Sequence, residues 1–390
     1  LVVEPDPDLI VVGAGPAGSR AVAAALAGGL RVTQFDAAPF PRTKPCAGGL
    51  TPRALAALPR AEVAGLTGEY HEFAFNAWRG ARTVYSCRAR LLAMVSRPEL
   101  DRRLVEENRA HPGLTFRPAE SVRSVDWTGG RFVVRTARRT VRARQLVGAD
   151  GANGVVGRTL GGVRPRGRAV ALEVVVGREE LLGEPDLAHP VFDFGALERG
   201  YGWVFPKQGE VCIGLYSLAR GHRDLPGRLD AYARARGLAP RSGSWPVFEA
   251  HTIPVGGHGA PRPSGPLYMV GDAAALADAL TGEGIYHALE SGRIAGETAV
   301  LVARGEAGPE RFAIELERRV VRDTRWSWRI AGPFYRHPEW ALRGLARSPL
   351  WRALVQGTGE GATFSECLRH APRLALRSLW TGSARRVRTS

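Results

Sequence analysis

Unbroken apolar runs ending in small-residue turns mark the start of the chain, and shorter, interrupted runs fill its middle. Leu9-Ile10-Val11-Val12 reads as a buried parallel strand, since a strand covered on both faces carries no polar alternation. It enters Gly13-Ala14-Gly15-Pro16-Ala17-Gly18, and the alanine-rich stretch from about Pro16 to Ala27 predicts a helix. A second strand, Arg31 to Phe35, ends on Asp36, eighteen positions past Gly18. This is a βαβ unit. Gly13 permits the tight turn, Gly15 lets a pyrophosphate approach the backbone, and Gly18 lets the helix lie close to the sheet. Free N–H groups at the helix start face the phosphate charge, and Asp36 is placed for ribose hydroxyls.

The loop Pro39-Phe40-Pro41-Arg42-Thr43-Lys44-Pro45-Cys46-Ala47-Gly48-Gly49-Leu50 is shaped by its prolines and glycines. A short helix is expected after it, with Thr51 as N-cap and Pro52 at the first helical position. Cys46, with Lys44 nearby and a helix start following, is suited to thiolate, or is simply a small wall residue. Residues 70 to 88 predict two strands marked by Phe73, Phe75 and Val84, and Leu91 to Val95 another. A helix opens at Arg97, with Pro98 near its start and acids in its first turn. Arg97 is placed for an anionic cofactor, or is one surface arginine among many. Strands follow near Leu114–Phe116, Ser121–Trp127, Phe132–Arg135 and Gln145–Val147. Gly148-Ala149-Asp150-Gly151 closes that series before a helix carrying Val155, Val156 and Arg158, and it suits a second cofactor contact.

From about 165 to 260 the pattern is that of an antiparallel sheet. Ala171 to Val176 is one strand, and Gly200-Tyr201-Gly202-Trp203-Val204-Phe205-Pro206 is another. At period two, Tyr201, Trp203 and Phe205 share a face, either as the wall of a long apolar pocket or as sheet core. A turn at Lys207-Gln208-Gly209-Glu210 returns the chain as Val211 to Tyr216. Leu267 to Val270 then runs into Gly271-Asp272-Ala273-Ala274, and Gly282-Glu283-Gly284-Ile285 opens a long helix to about Arg304. The opening theme returns here, with Asp272 for cofactor hydroxyls and the N–H groups of Gly284 and Ile285 for an anionic edge. The remainder is expected to be helical.

At 390 residues the chain can bury two cores. Four cysteines, Cys46, Cys87, Cys212 and Cys367, lack metal-ligand spacing, so neither a disulfide framework nor a metal site is expected, and a reducing cytoplasm fits. The net charge of +16 rests almost wholly on arginine, with only Lys44 and Lys207 as lysines. It favours anionic partners, and its spread along the chain without a recognition motif argues against nucleic acid. No apolar run is long enough to span a membrane, and no signal-peptide pattern opens the chain. From His337 to Ser390 nine Arg stand against three Glu, interspersed with Trp340, Leu350, Trp351, Leu368, Leu374 and Trp380. That mixture suits an anionic membrane at the inner face of the cell, or a helical cap with its arginines outward.

The glycine turn, Arg97-x-x-x-Asp101, Gly148-Ala149-Asp150-Gly151 and Gly271-Asp272-Ala273 together resemble the flavoprotein hydroxylase fold that binds FAD. Within it the chain is similar to the geranylgeranyl reductase family, which carries YxWxFP followed by GxG and a Lys/Pro-Cys-Gly-Gly segment. Tyr201 to Pro206 matches the first signature, while Gly214-Leu215-Tyr216 departs from GxG and leaves the pocket's shape there open. Lys44-Pro45-Cys46-Ala47-Gly48-Gly49 matches the second with an added Ala47. The resemblance covers roughly residues 8 to 310. It implies an α/β (α+β) chain with a discontinuous, Rossmann-like FAD-binding domain (1–70, 90–162, 262–306). An antiparallel-sheet substrate domain (71–89, 163–261) and a helical C-terminal region (307–390) complete it. It implies FAD contacts at Gly13, Gly15, Ala17, Gly18, Asp36, Cys46, Ala47, Gly48, Arg97, Val122, Asp150, Gly271, Asp272, Gly282, Gly284 and Ile285. Tyr201, Trp203 and Phe205 would line a prenyl channel. Both lysines fall in the family motifs, which suggests that Lys44 and Lys207 serve the site, since Lys and Arg are not interchangeable.

The activity so implied is FAD-dependent reduction of isoprenoid double bonds, by hydride from flavin N5 and a proton from elsewhere. Cys46, Tyr201 and flavin-bound water are the candidate donors. A monooxygenase or halogenase on the same fold, or a flavin redox sensor at a membrane, are the competing readings. No second glycine motif marks a nicotinamide site, so NADPH and ferredoxin both stand as reductants.

Overall fold

A computed structural model describes residues 6–347, apart from 61–64, 81, 87–89, 162, 184–186 and 258–264, together with residues 357, 361, 362, 366 and 367. Cys87, Leu350, Trp351, Leu368, Leu374 and Trp380 lie outside the described residues.

The opening run forms strand Leu9–Val12, fully buried as its apolar composition requires. It is the centre of a five-stranded parallel sheet whose order is Leu267–Met269, Gln145–Gly148, Leu9–Val12, Val32–Phe35, Leu114–Arg117. The helix after the glycine turn, Pro16–Ala27, packs on the long helix Ile285–Ala303. Small residues permit that contact: a Cβ on Gly292 or Gly296 would stand 2.1 and 2.3 Å from the carbonyl oxygens of Ala17 and Ala21. A three-stranded hairpin sheet, Val122–Thr128, Arg131–Thr136 and Thr140–Ala143, lies beside it in sequence. Its last strand was not expected, because Thr140-Val141-Arg142-Ala143 is short and only half apolar; it forms by pairing with Arg131–Thr136.

The second large sheet has seven strands, in the order Glu249–Val255, Gly167–Gly177, Glu210–Ser217, Gly200–Pro206, Val191–Phe194, Glu72–Ala77, Arg82–Ser86. Its neighbours are antiparallel, as expected from the sequence, except that Val191–Phe194 runs parallel to Glu72–Ala77. A helix, Leu225–Ala235, also interrupts the region read as strands. Asp224 caps it by accepting from Gly227 N–H, Pro226 lies in its first turn, and Leu229, Tyr232 and Ala233 bury on the sheet. Gly202 and Val204 face that side; a Cβ on Gly202 would meet the Tyr232 ring at 2.4 Å.

Residues after 306 form helices Glu310–Leu316, Arg322–Arg336 and Pro338–Arg347. The first packs on the core of the parallel sheet, with Phe312 against Tyr268, and the last two fold back onto the free face of the second sheet, where Ala331, Phe334, Tyr335 and Leu342 share a core with Tyr201, Trp203 and Tyr216. Among the described residues no helix is long and apolar enough to cross a membrane.

Candidate active site

A cavity of about 850 Å³ opens between the C-terminal ends of the parallel strands and the face of the seven-stranded sheet. Its first end is made of backbone. Gly13, at φ +103°, turns the chain so tightly that a Cβ would lie 2.2 Å from the Ala149 carbonyl oxygen. Gly18 lies under this turn, where a Cβ would meet the Gly13 carbonyl oxygen at 2.0 Å. The starts of helices Pro16–Ala27 and Ile285–Ala303 both border the cavity, through Pro16 and Ala17 and through Gly284, Ile285 and Ala288. Asp36 closes the second strand, accepting from Ala14 N–H at 2.7 Å and Ala38 N–H at 2.9 Å.

Arg42, not singled out from the sequence, lies over the same turn. Its Nη2 would be 3.1 Å from a Cβ on Gly15 and is 3.2 Å from the Asp101 carboxylate. The fully buried Asp101 also takes a forked pair of bonds from Arg97, at 3.1 and 3.2 Å. Arg42 Nε is buried without a hydrogen-bond partner among the described residues, and so is Asp150 Oδ1, whose sister oxygen accepts from Val156 N–H at 2.8 Å. Burial pushes the Asp150 carboxyl up. A turn with no room for side chains, two helix starts, and an arginine N–H and a carboxyl oxygen left without hydrogen-bond partners fit a dinucleotide with its pyrophosphate at Gly15.

Between the two ends runs a band of ion pairs. Lys44 Nζ lies 3.1 Å from Asp272 Oδ2, and His251 Nε2 is 3.6 Å from the same oxygen. Burial alone would raise the Asp272 carboxyl, but Lys44 and His251 outweigh it and hold it well below the usual carboxylate range. Glu283 accepts from Thr51 Oγ1 and from Arg53 Nη2, each at 2.6 Å, and Arg53 reaches Asp323 of the C-terminal helices at 3.9 Å. The chain between these groups is gripped by tyrosines. Tyr216 Oη donates to Ala279 O at 3.0 Å, Tyr335 Oη to Leu280 O, and Tyr201 Oη to Thr281 O.

The far end is built by cross-strand register, since residues opposed on adjacent strands share a face. One row reads Phe75, Phe192, Trp203, Gly214, Glu173, Glu249 across six strands. The next reads Ala77, Phe194, Tyr201, Tyr216, Ala171, His251. Both rows therefore change from aromatic to polar along the sheet. The Trp203 ring covers Gly214, where a Cβ would stand 2.1 Å from it. Tyr216, at the position where the family signature has its second glycine, stacks on Tyr201 at 5.1 Å between ring centres. Phe334 of the C-terminal helix closes the apolar end edge-on to Phe194 at 4.9 Å, with Ile330 beside it in the wall.

At the polar end of the first row, Glu173 accepts from Cys46 N–H at 2.6 Å. Cys46 Sγ accepts from Gly48 N–H at 3.4 Å and also contacts Arg97.

Of the residues singled out from the sequence, Gly13, Gly15, Ala17, Asp36, Lys44, Cys46, Ala47, Gly48, Arg97, Val122, Asp150, Tyr201, Trp203, Phe205, Gly271, Asp272, Gly282, Gly284 and Ile285 border this one cavity. Gly18 lies beneath it, and buried Lys207 lies behind the loop, its Nζ 3.2 Å from a Cβ on Gly48. Sequence reasoning missed Arg42, Glu173, His251 and the wall from residue 323 onward. The alternation of Glu249, His251 and Ile253 was the available signal for His251; nothing local marks the others.

A family profile described as an FAD binding domain matches residues 6–179. The menaquinone reductase of Mycolicibacterium smegmatis is 36% identical over 323 residues, covering 74% of this chain and 75% of that protein. Digeranylgeranylglycerophospholipid reductase 1 of Methanopyrus kandleri is 30% identical over 318 residues, covering 75% and 80%. Among solved structures, a geranylgeranyl bacteriochlorophyll reductase-like protein of Thermoplasma acidophilum shares the fold, with TM-score 0.74 at 19% identity over 96% of this chain and 98% of that one. The glycine turns, the unpaired groups beside them and these relatives agree: the chain belongs to the geranylgeranyl reductase family of FAD-dependent oxidoreductases.

Proposed function

We propose that this protein saturates carbon–carbon double bonds of a prenyl chain. The observation that carries the reading is the cavity's composition. An apolar box of Phe75, Phe192, Phe194, Tyr201, Trp203 and Phe334 continues without a partition into the FAD end. Such walls suit a long hydrocarbon, and a dry site is what reduction of an unactivated alkene needs. FAD, when bound and reduced, supplies the hydride. Gly13, Gly15, Arg42 and Asp36 would hold its pyrophosphate and ribose, and the Cys46–Gly48 loop and the Gly282–Ile285 turn would flank its ring. Tyr201, Trp203 and Phe205 orient the hydrocarbon and exclude water. The Methanopyrus relative, named for reduction of a digeranylgeranyl lipid, supports a prenyl substrate. Trp326 and Trp340 are exposed on the C-terminal helices with Arg329 and Arg343 against their rings, which supports contact with an anionic membrane surface.

The test uses the purified flavoprotein, chemically reduced without oxygen and mixed with geranylgeranyl diphosphate and, separately, with a geranylgeranylated lipid. A product heavier by two hydrogens per double bond is expected by mass spectrometry. Oxygen incorporation in a parallel aerobic sample with NADPH, and no hydrogenation, would replace this reading with oxygenation.

A further inference from the structure

Reducing an alkene needs a proton as well as a hydride, and neither residue first suspected is free to provide it. The Tyr201 hydroxyl is spent on the Thr281 carbonyl, and Cys46 Sγ faces two donors, Gly48 N–H and Arg97. Asp150, another carboxyl in the wall, stands next to Ala149, on which the Gly13 turn packs, and not among the aromatics.

We propose that Glu173 is the acid of this cavity and hands its proton to the alkene held against the aromatic wall. The inference rests on the reductase reading above. Glu173 is 4% exposed yet borders the cavity, in register between Gly214, which Trp203 covers, and Glu249. Its Oε1 is committed as acceptor to Cys46 N–H at 2.6 Å, so the proton belongs on Oε2. Among the described residues the hydrogen-bond partner of Oε2 is the Cys212 thiol, 3.8 Å away, a group that is a weak donor and a weak acceptor and so can face either the carboxylate or the acid. The charged and titratable groups that face it among the described residues are Glu249, Lys207, Arg97 and the Cys212 thiol. Burial, the largest influence, and the neighbouring Glu249 favour the neutral acid, whereas the Cys46 N–H, Lys207 and Arg97 favour the carboxylate, and the net effect raises the Glu173 carboxyl above its ordinary value.

The step balances. The O–H bond of Glu173 breaks as a C–H bond forms at one alkene carbon. The other carbon takes the hydride from reduced flavin, so the alkene gains two electrons and the flavin is left oxidised. The Glu173 carboxylate regains a proton through Glu249, half-buried one strand further along the row.

Infrared difference spectroscopy of the full-length protein, purified with its flavin oxidised, tests the acid without turnover. As pH is lowered from neutral, the wild type is expected to show a protonated-carboxyl band, appearing at a higher pH than an ordinary glutamate gives, that Glu173→Gln lacks. Glu173→Asp, with a shifted band, serves if the Gln variant does not fold. Absence of the band overturns the proposal whatever the substrate. In turnover, Glu173→Gln should retain FAD and lose about 100-fold or more in rate, the usual contribution of a positioned acid. The wild-type rate should fall as pH rises through the elevated Glu173 pKa, because the acid form is the active one, and the variant should lose that limb. A variant as fast as an active wild type, with the same pH profile, overturns the acid. If the wild type reduces no prenyl substrate while the band is present, the reductase reading fails and the buried acid stands.

Discussion

The two ends of the cavity are made in opposite ways. The cofactor end is backbone: Gly13 and Gly18 leave no room for a methyl group, with carbonyl oxygens 2.2 and 2.0 Å from where one would sit. The aromatic end is side chain: Phe194, Tyr201, Tyr216 and Phe334 meet at ring-centre distances of 4.9 to 5.6 Å. A backbone site cannot yield to a substitution, because moving a carbonyl moves the strand that carries it. An aromatic wall can lose a ring and still leave a cavity. One end therefore suits a cofactor that must not vary, and the other a substrate that differs between relatives.

The sharpest way to break this contrast is Gly13→Ala. With φ at +103° and the Ala149 carbonyl in the way, we expect about 3 kcal/mol or more of lost stability and protein purified without yellow flavin, read by absorbance. Phe334→Ala should behave differently: about 3 kcal/mol lower stability for a buried ring, full FAD content, and a raised KM for long-chain substrate. If that variant loses its flavin too, the two ends are one unit and the contrast fails.

Asp272→Asn probes the band between them. It leaves Lys44 without its partner and should cost about 1–3 kcal/mol in denaturant unfolding. It also has a pH signature. Burial disfavours the Asp272 carboxylate, but Lys44 and His251 outweigh burial and hold its folded pKa below the unfolded value. Its stabilisation is thus present above the ordinary carboxylate pKa of about 4 and is lost as pH falls further. The acid side of the stability profile should flatten in the Asn variant. The smallest effect is expected from Tyr335→Phe, which removes the bond to Leu280 O for about 1 kcal/mol, with flavin content and rate near wild type.

Much of the cofactor end was readable in the sequence because its parts are local. Strand Leu9–Val12, the glycine turn, helix Pro16–Ala27 and Asp36 lie within a short stretch, and each element's chemistry predicts the next. The aromatic face of Gly200–Pro206 was readable too, since period two sorts Tyr201, Trp203 and Phe205 from Gly202 and Val204. Helix Leu225–Ala235 was missed although Asp224 and Pro226 are ordinary start signals, because short apolar runs around it read as strands. Glu173 sits in a run that reads as a plain strand, and only pairing with Glu210–Ser217 and Glu249–Val255 sets its neighbours.

The sequence by itself determined the βαβ unit, the positions where only glycine fits, and the alternation that turns three aromatics to one side. These follow from dihedral limits and side-chain periodicity within a few residues. The tertiary structure decided what those features face. It set Arg42 over a turn far from it in the chain, and tied Arg53 to Asp323. It closed the apolar end with Phe334, and aligned six strands so that an aromatic row ends in Glu173 and Glu249. The physical reason is that register and packing depend on which surfaces bury together, and no local pattern records which distant strand will supply the neighbour.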